Sequence, residues 1–160
     1  MLTNRYSLLL LGSAGLLFAN SCASTSAWQT DTSKGTPSSF NSIRLYLCTS
    51  GGCGDLGLEL VRTCDGIRLY LNVFGLAIPP SETDCSISMV YVSFRERSYT
   101  FCADRLLGGQ RLLIPKNVQD DIIEYLQNDQ PVFIRVGRYQ ADIYPEQFLK
   151  PFTKMVGAPL

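Results

Sequence analysis

The sequence contains no histidine in 160 residues. That absence removes Ser-His-Asp and Cys-His centres, histidine-ligated zinc and the imidazole pH switch. An excess of either charge is absent too, since 14 Lys and Arg balance 14 Asp and Glu. A neutral chain with no basic tail lacks the electrostatic footprint of a nucleic-acid binder, so no nucleic-acid partner is expected. Lysine is scarce: Lys34, Lys116, Lys150 and Lys154 are outnumbered by arginines, which favour planar, forked hydrogen bonding. No C-x-x-C pair occurs among the cysteines, and their irregular spacing argues against a thiolate metal site or a redox motif. What remains is an ordinary globular composition, 46% hydrophobic and 18% charged, sized for one domain.

The first 27 residues read as an export signal. Arg5 supplies the positive start, residues 8–18 form an apolar run, and Ala19-Asn20-Ser21-Cys22-Ala23 makes a small-residue exit. The run is too short for a membrane span, which needs about 20 residues. This layout resembles a bacterial exported lipoprotein precursor, the likeness being confined to the signal region and identifying no domain family. The resemblance implies acylation of Cys22, a mature chain starting there, and anchoring without a transmembrane helix. Ala23 in place of Asp after that cysteine implies outer-membrane sorting in such precursors. Ordinary cleavage after Ser21, Ala23 or Ala27 is the alternative and would yield a soluble periplasmic or secreted protein. Either cut takes away Arg5 and no acidic residue, leaving the charge balance nearly intact. Residues 24–42, rich in Ser, Thr, Gly and Pro and without apolar periodicity, are expected to form a flexible tether.

From Ser42 the pattern alternates with period two, predicting a single β-rich domain over residues 43–157. Ile43, Leu45 and Leu47 make one strand, Leu56, Leu58 and Leu60 a second, and Ile67, Leu69, Leu71 and Val73 a third, with Asp65-Gly66 as a hairpin turn. Further strands are predicted over 86–94, 98–104, 112–114, 132–136 and 139–144. One helix is predicted after an Asn117 cap, burying Val118, Ile122, Tyr125 and Leu126 and placing Asp120 and Asp121 in its first turn. Pro145 is expected to open a short terminal helix bearing Phe148, Phe152 and Met155, kinked or broken at Pro151. The expected fold is a mainly β, antiparallel β-sandwich or small barrel with one packed α-helix and a short C-terminal helix.

The most distinctive repeat is Ile43-Arg44-Leu45-Tyr46-Leu47, which recurs as Ile67-Arg68-Leu69-Tyr70-Leu71. Shared parity turns Arg44, Tyr46, Arg68 and Tyr70 away from the leucine face, a candidate binding strip for a glycan, peptide or protein. Ordinary strand propensity explains the same residues without a ligand. Cys48 and Cys53 flank a glycine loop and are a candidate disulfide; Cys64, Cys85 and Cys102 leave an odd count once Cys22 is used. Gly108-Gly109-Gln110 matches the tripeptide of translation release factors but reads as a glycine turn. Glu59, Glu82, Asp84 and Asp104 show no spacing that marks an acid-base pair. The expectation is therefore a non-catalytic, cofactor-free envelope module that meets the membrane through a lipid anchor and binds an envelope protein or glycan. A histidine-free envelope glycan hydrolase is the rival.

Overall fold

A computed structural model describes residues 27–47 and 56–160, so Cys22, Cys48 and Cys53 lie outside the described residues. Among them, nine strands form one sheet: β1 (Trp28–Ser33), β2 (Ser42–Leu47), β3 (Leu56–Thr63), β4 (Gly66–Val73), β5 (Ile87–Ser93), β6 (Ser98–Arg105), β7 (Arg111–Leu113), β8 (Val132–Val136) and β9 (Tyr139–Ile143). Their order is β1-β2-β3-β4-β7-β6-β5-β8-β9, and every neighbouring pair is antiparallel. The mainly β, antiparallel reading is thus met. The far strand β9 packs back on β3, so the sheet curls around its own apolar face.

Alternation explains which face turns inward. Leu45, Leu60 and Leu69 stand opposite one another across β2, β3 and β4, and Trp28, Leu47, Leu58, Leu71 and Leu112 make the next row. These side chains are almost wholly buried, as are Val90, Val92, Val132 and Ile134 from the other half of the sheet. A one-residue slip would turn the leucines outward and the arginines inward, which locks the register. At the β8–β9 hairpin Gly137 adopts a φ of 54°, a left-handed conformation that glycine tolerates without a Cβ clash.

Two helices close the core. Helix α1 (Lys116–Gln127) buries Val118, Gln119, Ile122 and Leu126, close to the predicted face, with Tyr125 half-buried. Its start differs from expectation: Pro115 stands at the cap, no side chain caps the helix, and Asp120 and Asp121 fall beyond the first turn. They act as ion-pair partners instead, Asp120 with Lys116 and Asp121 with Arg97. Helix α2 (Leu149–Gly157) begins four residues after Pro145, and Pro151 falls in its first turn, where a missing N–H costs nothing. Arg62 of β3 donates Nη1 to the carbonyls of Met155 (2.7 Å) and Ala158 (2.5 Å), satisfying the carboxyl end of α2. No helix among the described residues is long and apolar enough to cross a membrane.

The largest correction concerns the expected tether. Residues 28–33 form β1, paired along its whole length with β2, and residues 38–40 form a 3₁₀ turn. Trp28 is buried, meets Phe148 edge-on at 4.8 Å and directs its indole N–H to the Tyr144 carbonyl at 3.4 Å. The sheet therefore includes residues 28–33, upstream of the alternating pattern that begins at residue 43. Cys64, Cys85 and Cys102 are free and exposed, with no disulfide joining them.

Two outcomes follow from this packing. Trp28→Ala should cost roughly 3–5 kcal/mol in urea unfolding, the range for emptying a large aromatic site, and a loss below about 1 kcal/mol would detach β1 from the fold. Tyr99 donates its hydroxyl to Asp121 Oδ2 (2.6 Å), and burial first, then that carboxylate, push its phenol up to about 12. The unfolded chain releases this proton near the ordinary tyrosine value of 10.0, so the stability it supplies is complete below that pH and is lost as pH rises from there toward 12. Phenolate absorbance should show one tyrosine ionising last, and Tyr99→Phe should remove that step and flatten the alkaline loss of stability.

Candidate functional site

The outward face of the first four strands holds the candidate site, and its geometry grows directly from the sheet register. Arg44 stands opposite Val61, and Val61 opposite Arg68; Tyr46 stands opposite Glu59, and Glu59 opposite Tyr70. The repeated pentapeptides thus lie on the two strands that flank β3, and they place Glu59 between their tyrosines. β3 is covered on both faces: Leu56, Gly57, Leu58, Glu59 and Leu60 are all buried.

A buried carboxylate must be met by donors, because desolvation is otherwise prohibitive. Glu59 is 6% exposed and meets three of them. Asn72 of β4 donates Nδ2 to Oε2 at 2.9 Å, Arg111 of β7 approaches the same oxygen at 3.0 Å, and Arg44 approaches Oε1 at 3.6 Å. Arg111 also lies over the Tyr70 ring, 3.9 Å from its centroid, a close cation–π contact. Arg44 reaches outward to Asp31 of β1 at 2.5 Å, and this hydrogen bond holds the Asp31 carboxyl below its ordinary range. The Tyr46 hydroxyl donates to Gln29 Oε1 at 3.0 Å. The result is a connected lattice across β1, β2, β3, β4 and β7. The Nε atoms of Arg44 and Arg111 are enclosed within it and have no partner.

An open cleft of about 290 Å³ lies over this lattice, lined by Arg44, Tyr46, Glu59, Asn72, Gly57 and Phe74. Gly57 makes the space possible: a methyl group there would sit 3.1 Å from Phe74 Cε2 and 3.2 Å from the Leu47 carbonyl oxygen. Phe74 remains 66% exposed, an apolar lip beside a charged floor.

The predicted strip is therefore divided. Arg44, Tyr46 and Tyr70 gather around Glu59, whereas Arg68 lies farther along β4, in a second groove beside Lys116 and Gln119. Sequence reasoning weighed Glu59 only as an acid-base candidate and passed over Asn72, Arg111 and Phe74; pairing the two pentapeptides against an intervening strand would have exposed Glu59 as their shared neighbour. The remaining candidates do not converge. Asp84 accepts from the Ser86 amide and hydroxyl at 2.8 and 2.7 Å in an exposed loop, which keeps its carboxyl below the usual range. Gly108 and Gly109 are a positive-φ turn ahead of β7, and Gln110 donates to the Gly75 carbonyl at 2.7 Å. No group of three or more Cys, Asp or Glu side chains among the described residues is placed to hold a metal ion.

Fold and site define a mainly β protein with a charge-lined polar sheet face. No protein-family model, curated protein or solved structure matches the chain. Its own geometry carries the functional argument.

Glu59→Ala should leave Arg111 without its carboxylate and Arg44 with Asp31 alone. Because both arginines are partly exposed and screened, the expected loss is about 2 kcal/mol, below that of a fully buried pair. Glu59→Gln, still able to accept from Asn72, should lose about half as much. Urea midpoints followed by circular dichroism measure both, and equal, negligible losses would show that the lattice does not hold the strands.

Proposed function

We propose that the chain is an exported, lipid-anchored, non-catalytic binding module of a bacterial cell envelope, with the Glu59 cleft as its ligand face and an envelope glycan as its ligand. The observation that carries this reading is the lattice around Glu59: planar polar side chains fixed in place beside exposed aromatic surface. Sugars present both hydroxyls and apolar ring faces, and such a floor offers fixed donors and acceptors for the first and Tyr46 and Phe74 for the second. Both oxygens of Glu59 face donors from the protein itself, which suits a positioning role better than proton transfer.

Anchoring rests on the resemblance of the signal region to lipoprotein precursors. With β1 starting at Trp28, residues 23–27 alone would link an acylated Cys22 to the sheet. Fully extended, they reach at most about 18 Å, so the domain would sit close to the membrane surface.

Two measurements test the proposal. Cys22→Ala should move the protein from the membrane fraction to the soluble fraction, and unchanged fractionation would defeat the anchor. Isolated envelope glycan should co-sediment the purified chain, and Tyr46→Ser with Phe74→Ser should weaken that by about tenfold, equivalent to roughly 1.4 kcal/mol. Equal sedimentation of the variant would remove the cleft as the ligand face.

A further inference from the structure

A second groove of about 460 Å³ lies where β4, β7 and the start of α1 meet, within the size range of small-molecule sites. Arg68, Asp104, Asp65, Lys116 and Gln119 line it, with Leu113 as part of an apolar wall. Its position follows from the outward register: Asp104 of β6 stands opposite Leu113 of β7, and Leu113 opposite Tyr70 of β4, two residues from Arg68.

The polar groups of this groove do not satisfy one another. The side chains of Arg68 and Asp104, both exposed, make no hydrogen bond or ion pair among the described residues, while Lys116 pairs with Asp120. Gln119 is 2% exposed, lines the groove, and its amide nitrogen Nε2 has no acceptor. An enclosed donor without a partner is rare and costly in a folded protein, and an acceptor brought by a ligand would relieve it. The amino end of α1 adds to the same polarity: no side chain caps it, and the first intrahelical bond runs from the Gln119 amide to the Pro115 carbonyl, leaving the amides of residues 116–118 without helical acceptors.

We infer that this groove binds a small zwitterion of the amino-acid or dipeptide class, its carboxylate toward Arg68 and the Gln119 amide and its ammonium toward Asp104. Charge decides the class. A simple anion would gain Arg68 and Gln119 but face Asp104 and Asp65; a simple cation would face Arg68. A ligand bearing both charges, with a short apolar segment against Leu113, meets every unpaired group. The inference does not depend on the Glu59 cleft, whose lining residues are different.

The test is calorimetric titration of the full chain with L-alanyl-L-alanine, its N-acetyl form, its C-terminal amide, and inorganic phosphate. The free dipeptide should saturate the protein at one site, and each blocked form should bind about tenfold or more weakly, since each lacks one charge. Arg68→Gln and Asp104→Asn should weaken the dipeptide by a similar factor. Gln119→Leu should weaken it while raising the thermal midpoint, because the orphaned amide is gone. Absence of saturable binding, equal binding of the blocked dipeptides, or phosphate binding as tightly as the dipeptide would overturn the inference.

Discussion

A strand covered on both faces cannot leave a charge unanswered, and β3 is such a strand. Its leucines meet the apolar interior while Glu59, on the opposite face, is almost completely removed from water. The donors that answer it come from β2, β4 and β7, strands well separated in the chain. Hydrophobic burial drives the curl of the sheet, being non-directional and roughly proportional to area. The carboxylate adds direction: its partners stand at the right positions only when β2, β4 and β7 are correctly paired. Removing one member of such a buried group is costly, because it leaves the other without a partner.

The same constraint shapes the surface. Because Arg44, Asn72 and Arg111 are turned toward Glu59, the outer face is neither a charged brush nor an apolar patch. Tyr70 is held under Arg111 and Tyr46 is tied to Gln29, so the aromatic rings have little freedom left to lose on contact with a ligand. Gly57 keeps the floor open, and Phe74 extends from the end of β4 as its lip. Arg68 belongs to different surroundings, where unpaired charges and a buried amide lie beside an uncapped helix. Two grooves on one sheet thus differ in kind: in one a buried carboxylate is met by side chains of the same sheet, while in the other Arg68, Asp104 and the Gln119 amide nitrogen make no bond to one another.

The strands that were legible in the sequence share one property, a period-two contrast between leucine or valine and polar residues. β2, β4 and β8 show it, and so does α1 at its own period. β1 does not. Trp28-Gln29-Thr30-Asp31-Thr32-Ser33 offers one large apolar residue at its start, and its place in the sheet comes from backbone pairing with β2 and from Trp28 meeting Phe148, about 120 residues away in the chain, a separation no local pattern can encode. The start of α1 was misplaced for a similar reason: Asn117 is a good cap by type, yet Pro115 already has extended geometry there and Asp121 is drawn to Arg97.

By itself the sequence determined the fold class, the inward face of most strands and the absence of imidazole chemistry, because alternation and residue type act locally and are readable one segment at a time. The candidate site was legible only in part: the repeated Arg-Leu-Tyr unit marked Arg44, Tyr46 and Tyr70, but not what lies between them. Only the tertiary structure decided that Glu59 is their common partner, that Arg68 serves a separate groove, and that residues 28–33 join the sheet. Each of these depends on strand order and register, which bring together residues from β1 to β7 through long-range backbone pairing.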